Sequence, residues 1–323
     1  MTTRRKFLLW SVTVLATPAL PGSALAQKWP AKAIRAIIPF TPGSTIDVIG
    51  RIVLDPLSAA LGQPIVVENR GGAGGSIGTA LVAKAEPDGH TILIHASAHS
   101  AAPAVYPNLP YDPALDFSAV VAFGSVPNVV VISPAKGIKT LKELVEAARK
   151  GSFTFASAGV GSATHWAAER LRLSAGFDAV HVPFRGGPEG LTEVMTGRVD
   201  FMCIGITSGF PFIRQGKLLP LAVSAHTRSS ALPDLPTTIE AGYPDSDYTF
   251  WNGMLAPAKT PRAIVNRLHA EMQKVLREPA VIEKLKLQGV EPMPLTPTEF
   301  DALIAREVES NIALVKAAGL KFS

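Results

Sequence analysis

Short apolar runs alternate along this chain with stretches whose apolar residues return every third or fourth position, the pattern of buried strands followed by amphipathic helices. Residues 37–61, IIPFTPGSTIDVIGRIVLDPLSAAL, show the unit most fully. Ile37, Ile38 and Phe40 close a predicted strand over 35–40, and Thr41-Pro42-Gly43 breaks it. Ile46, Ile49, Val53, Leu57 and Leu61 then share one face of a helix predicted over 44–61, with a kink before Pro56. Ser44 and Asp47 stand at capping-box spacing. The first turn of such a helix carries unpaired N–H groups and about half a positive charge. Gly43, Ser44 and Thr45 are small enough to let a ligand reach it, so the turn is an expected anion seat.

The unit recurs. A buried strand over 64–68 runs into Asn69-Arg70-Gly71-Gly72-Ala73-Gly74-Gly75 and a helix over 76–85. A strand over 91–96 leads to a small-residue stretch at 97–100, including Ser97, that is placed to face a cleft. A strand over 153–156 opens onto Ser157-Ala158-Gly159-Val160-Gly161-Ser162 and a helix from Ala163. A strand over 179–184, the loop Arg185-Gly186-Gly187-Pro188, a helix over 189–196 and a strand over 199–204 form a βαβ unit, which implies parallel pairing. Further helices are expected over 140–150, 211–216 and 260–276 and from Thr296 onward, with a strand over 219–224. The apolar stretch 119–133 is long and interrupted by Gly124 and Pro127, and it reads as a strand that leaves one domain and enters another. Residues 249–255 make the return crossing.

Composition changes this picture at the N-terminus. Arg4, Arg5 and Lys6, the short apolar run 7–20 and Ala24-Leu25-Ala26 form an export signal cleaved after Ala26. Thr3-Arg4-Arg5-Lys6-Phe7-Leu8 fits a twin-arginine signal, with an ordinary secretory signal as the alternative. The expected product is periplasmic. Losing three basic residues lowers the net charge from +5 to +2, so the basic balance gives no reason to expect nucleic acid. The 297 residues that remain of 323 suit two α/β domains. The single cysteine, Cys203, sits in an apolar run and reads as a small buried side chain.

Four strands thus end in Gly- or Ser-rich loops that open helices, and in open α/β sheets ligands sit at the carboxyl ends of strands. Two such ends from each of two domains would surround one cleft. Their donors are backbone N–H groups and the hydroxyls of Thr41, Ser44, Thr45, Ser162 and Thr164, which suits carboxylate oxygens. Several charge-assisted hydrogen bonds of roughly 1.5–3 kcal/mol each suffice for micromolar binding of a small acid. GxGxxG, a P-loop lysine and HExxH are all absent. His165 and Glu169 are four apart without a second histidine, and His165 reads as a cap or loop-ordering group before a metal ligand. Asp47 has a capping task ahead of any role as general base. Arg185 either reaches an anion or pairs with a surface carboxylate, and Trp251 is either hinge packing or a cleft wall. No catalytic residue, metal or cofactor is expected.

At this point the residues resemble a family. PFTPGSTIDVIGR at 39–51 is similar to the PF-x-PGG-x-x-D-x-x-x-R segment of the Bug family, the periplasmic solute-binding proteins of tripartite tricarboxylate transporters. ENRGGAGGSIG, EPDGHTIL, YDPALDF, SAGVGSATH, HVPFRGG, TGRVDFM, FWNGMLAPAKTP and LQGVEP continue the likeness in order over nearly the whole mature chain. The resemblance implies a two-domain α/β periplasmic-binding-protein fold of the Venus-flytrap, type II-like kind, with a ligand cleft between the lobes. Domain I would comprise 27–127 and 250–323, and domain II 128–249, with crossings near 124–130 and 247–253. It implies a monomeric receptor, not an enzyme, that captures a small carboxylate and delivers it to membrane transporter subunits. A ligand sensor feeding a sensor kinase, or an exported enzyme acting on a small acid, are the alternatives. Carried over, the ligand residues are Thr41, Pro42, Gly43, Ser44, Thr45 and Asp47 on one side and Gly159, Gly161, Ser162, Thr164 and His165 on the other. Ser44 stands where the family usually has a second glycine, and Arg185 where a lysine is common.

Overall fold

The computed structural model describes residues 29–318, so the export segment expected over 1–26 lies outside the described residues. The sheet is built from β1 (Ile34–Ile38), β2 (Ile65–Asn69), β3 (Thr91–Ala96), β4 (Phe117–Ile132), β5 (Phe153–Ser157), β6 (Ala179–Pro183), β7 (Phe201–Gly205), β8 (Leu219–Ser224) and β9 (Thr249–Pro257). The helices are α1 (Thr45–Leu61), α2 (Ser76–Ala83), α3 (Ala98–Val105), α4 (Leu141–Ala148), α5 (Ala163–Ala175), α6 (Gly187–Met195), α7 (Ile206–Arg214), α8 (Arg262–Val275), α9 (Pro279–Leu287) and α10 (Pro297–Ala318).

The strands run in the order β2-β1-β3-β9-β4-β7-β5-β6, with β8 also on β4. In the first lobe β1 pairs in parallel with β2 and β3, and β9 returns antiparallel to β3. In the second, β5 pairs in parallel with β6 and β7. Both lobes share β4. Its first part, from Phe117 to Pro127, pairs with β9; its last part, from Asn128 to Ile132, pairs with β7 and β8. The switch falls between Pro127 and Asn128, so the crossing is a hydrogen-bonded strand and not a free linker.

Local chemistry explains the elements next to the cleft. The stripe Ile46, Ile49, Val53, Leu57 and Leu61 of α1 is buried against β1 and β3, as its spacing requires. Gly62 ends the helix in the left-handed region, with its N–H on the Ser58 and Ala59 carbonyls. Cys203 is fully buried in β7, and burial pushes its thiol pKa up. α10 ties the crossing down: Phe300 packs edge-on against Trp251, with ring centroids 4.9 Å apart, and the Asp301 carboxylate accepts the Ala119 N–H at 2.7 Å. The Glu307 carboxylate accepts the indole N–H of Trp251 at 2.8 Å and the Ser100 hydroxyl.

Several sequence expectations need correction. β2 is half-buried and not buried, because it is the last strand on its side and pairs with β1 alone. β6 and β7 are parallel, but β5 lies between them, so the βαβ unit does not pair its own strands. The small-residue stretch at 97–100 caps and begins α3, a helix for which no expectation was stated. α9 had no counterpart in the sequence reading, and the helix expected over 211–216 begins earlier, at Ile206.

Candidate functional site

The four loops that follow β1, β2, β5 and β6 meet. A Cβ placed on Gly186 would fall 1.8 Å from Thr41 Oγ1, one on Gly74 would fall 2.2 Å from the Val160 carbonyl, and one on Gly71 would fall 3.2 Å from the Arg185 carbonyl. As the lobes stand, a Cβ collides outright at Gly186 and Gly74 and is tight at Gly71, and at Gly74 the φ of +60° adds a second reason for glycine. Polar bonds join the same faces. Tyr106 donates its hydroxyl to the Val160 carbonyl at 2.8 Å; Thr45 Oγ1 and Ser208 Oγ lie 3.1 Å apart; and Ser208 donates to the Gly43 carbonyl at 3.2 Å. The lobes are closed on one another.

Between them lies a cavity of about 40 Å³. Its polar lining is Ser44 and Thr45 at the start of α1 and Ser162 and Thr164 at the start of α5. Its apolar lining from the first lobe is Phe40, Ile46, Ala96 and Ala98, with Phe250 at the start of β9. Ala158, Ala163, Gly187 and Ile204 complete it from the second lobe. No charged side chain among the described residues lines it.

The two helix starts are prepared differently. At α5 the Ser162 Oγ accepts the His165 N–H at 3.3 Å and lies 2.9 Å from Thr164 Oγ1, which in turn accepts the Ala158 N–H at 2.8 Å. At α1 the expected capping box is half formed. Ser44 Oγ makes no cap bond; it is buried and without a protein partner. Asp47 instead accepts the N–H of Gly43 at 2.9 Å, one residue before the cap. The same carboxylate takes Arg51 Nε at 3.0 Å and Asn69 Nδ2 at 2.9 Å, and Asn69 also donates to the Phe40 carbonyl. Asp47 therefore holds the loop after β1 in place from behind and does not face the cavity. Thr41 Oγ1 is also buried and unpartnered, against Gly186.

The other expected site residues are placed as follows. Pro42 and Gly43 form the turn between β1 and α1, and Gly43 lies against Pro188 of the other lobe. Gly159 packs on Gly74, and the Gly161 N–H donates to His165 Nδ1 at 3.1 Å. His165 lies under its loop and is not in the cavity wall. Its ring stacks on His181 at 4.0 Å, and His181 stacks on Phe155 at 4.8 Å. Arg185 is outside the cavity, in a groove of about 560 Å³ along the seam with Ala73, Tyr106 and Glu189. Its backbone N–H donates to Glu189. Ser97 Oγ accepts the Trp251 N–H at 3.0 Å, joining the loop after β3 to the crossing strand, while its neighbours Ala96 and Ala98 reach the cavity. Trp251 packs in the hinge and does not wall the cleft. The lining residues Phe40, Ile204 and Phe250 went unnoticed in the sequence, where each reads as ordinary strand core.

The stacked histidines contribute to a pH dependence, as do His95 and His99, which burial also lowers. Burial, with the neighbouring ring and Arg172 adding to it, lowers His165 to about 3, and burial lowers His181 to about 4. Each ring binds its proton less readily folded than unfolded, where imidazole titrates near 6.5. Stability that is intact above about 6.5 is therefore lost as the pH falls towards those folded values. The melting temperature is expected to fall between pH 6.5 and 4, and less steeply in His181→Leu. Equal slopes for the two proteins would remove the pair as the cause.

Two lobes hinged on shared strands, with opposed helix starts enclosing a small cavity, define a solute receptor of the periplasmic-binding-protein class. Within it, the sequence profile described as "Tripartite tricarboxylate transporter family receptor" matches residues 49–320, and the chain belongs to that family. It is 33% identical to BugT of Bordetella pertussis over 311 residues, 95% of each chain. Among solved structures it is similar to MatC of Rhodopseudomonas palustris with bound malate (TM-score 0.84, 31% identity, 89% of this chain and 100% of that one). It is also similar to Rpa4515 of R. palustris with adipate (TM-score 0.87, 30% identity, 91% and 99%).

Proposed function

We propose that the chain is an exported, non-catalytic receptor that closes around a small organic acid and hands it to the membrane subunits of a tripartite tricarboxylate-type transporter. Residues 27–127 with 250–323 form one lobe and residues 128–249 the other, and the acid sits where Ser44, Thr45, Ser162 and Thr164 converge. The observation that carries this reading is the Ser44 hydroxyl: buried at a helix start, turned to a cavity and bonded to nothing in the protein. A buried hydroxyl without a partner is costly, and a carboxylate oxygen at that point supplies one together with a favourable charge for the helix start. Family membership and the acids named with two relatives point the same way.

Thermal shift against a panel of carboxylic acids and their uncharged amides tests it. A bound acid at about 100 times its Kd adds roughly 2.7 kcal/mol, which is about 4–5 °C for a chain of this size. The amides are expected to give none of this. Ser44→Ala is expected to weaken the acid about tenfold and to leave the unliganded melting temperature in place, since its hydroxyl bonds nothing there. Amides that stabilise as well as acids would sink the anion reading.

A further inference from the structure

We infer that the chain has a second ligand site, sharing no residue with the cavity between the lobes, which takes an amphipathic organic anion: an apolar ring body carrying one acidic group. One wall of it is the LQGVEP stretch, residues 287–292, a motif with no part in the cavity. That stretch is fixed in place from two directions. Gly289 has a φ of +70°, and a Cβ there would fall 2.5 Å from Ile206 of α7. The Gln288 carbonyl accepts the Thr207 hydroxyl at 2.7 Å. Glu291 and Ser125 exchange both of their backbone hydrogen bonds at 2.9 Å, which ties the stretch to the crossing strand β4. Beside it opens a groove of about 490 Å³, within the roughly 300–1,000 Å³ of pockets that hold small organic ligands.

The walls fix the body of the occupant and the rim fixes its charge. Phe123 of β4, Leu276 after α8, Ile282 and Leu285 of α9, and Met293 make the lining mostly apolar. Ile282 is 49% exposed, so a ring laid in the groove removes from water a side chain that the protein itself leaves uncovered. Arg277 and Lys286 stand at the edge, both exposed, and neither is paired with a carboxylate among the described residues. The acid in the lining, Glu291, takes the Ser230 hydroxyl of the second lobe at 3.3 Å. Two cations against one carboxylate leave a positive charge over beside an apolar surface. An acidic group on the occupant meets that surplus, a basic group is repelled by it, and an uncharged ring leaves it unused.

Calorimetric titration of the purified protein with naphthalene-2-sulfonate, and with naphthalene-2-sulfonamide as its uncharged counterpart, tests the site. The sulfonate is expected to bind once per chain and at least about 10-fold more tightly than the sulfonamide. Ile282→Glu, and separately Arg277→Glu combined with Lys286→Glu, are each expected to weaken the sulfonate about 10-fold or more. All three positions are exposed, and a melting curve checks that each variant is folded. Ser44→Ala, in the cavity between the lobes, is expected to leave the sulfonate titration unchanged. A sulfonate that responds to Ser44→Ala and not to Ile282→Glu is bound between the lobes and overturns the inference. So do a sulfonamide that binds as tightly, titrations that neither groove variant alters, and an absence of saturable binding. The carboxylate receptor stands or falls on its own acid panel in every one of these cases.

Discussion

Gly186→Val is expected to weaken acid binding by roughly 100-fold. The backbone at Gly186 is extended, with φ −168° and ψ 166°, a conformation any residue adopts, so valine costs the isolated lobe nothing in strain. The conflict arises only across the cleft. In the closed form the added Cβ would fall 1.8 Å from Thr41 Oγ1, 2.9 Å from Thr41 Cβ and 3.2 Å from its methyl. Rotating Thr41 clears the first of these contacts but not the second. Overpacking of this kind costs about 1–3 kcal/mol, and the whole penalty falls on the closed state, where the acid is held by both lobes. The loss belongs in the off-rate, because capture begins with the lobes apart. Gly186→Ala is expected to lie between. Titrations that place the valine variant within threefold of the parent would mean that closure does not bring Thr41 and Gly186 together.

Phe300→Ala is expected to cost about 3–5 kcal/mol of stability, read as a lower urea midpoint at unchanged slope. Phe300 is fully buried. Its ring stands edge-on to Trp251 and lies directly on the backbone of Gly253, where a Cβ would come within 2.7 Å of it. Phe300 packs in a cluster with Leu93, Trp251 and Ile304, and its truncation leaves a cavity among them. The same helix bonds β4 through Asp301 and Trp251 through Glu307, and burial raises the Glu307 pKa. A loss below about 1 kcal/mol would show that α10 is held to the sheet by those polar contacts alone.

The elements around the cleft were legible because each joins a short apolar strand to a helix with a clear stripe: α1 and α5 announce themselves through Ser44 and Ser162 followed by apolar residues at helical spacing. Helix α3 was not legible. Ala98–Val105 reads AHSAAPAV, with no contrast between faces and a proline inside, and only packing against α10 and the crossing strand makes it helical. Strand order was equally out of reach, since the position of β5 between β6 and β7 is a long-range choice that no local pattern records. At the site, the hydroxyl-bearing positions were visible in the sequence, but which hydroxyls the protein consumes was not. Ser44 and Ser162 occupy equivalent caps, and only the coordinates show one spent on its helix and the other left over. Phe40, Ile204 and Phe250 escaped notice for a related reason: an apolar residue at the end of a strand has the same sequence signature whether it meets core or cavity.

The shared strand β4 has a consequence for how this protein is built as a machine. A pair of bodies joined by a slack tether can wander through any relative orientation, and capture then depends on chance. Here the joint is itself part of the woven fabric, bonded along both halves of one sixteen-residue strand. Bending it is expected to swing the two bodies along a single arc, like the covers of a book about its spine, and the same weave makes each body a stabilising neighbour of the other.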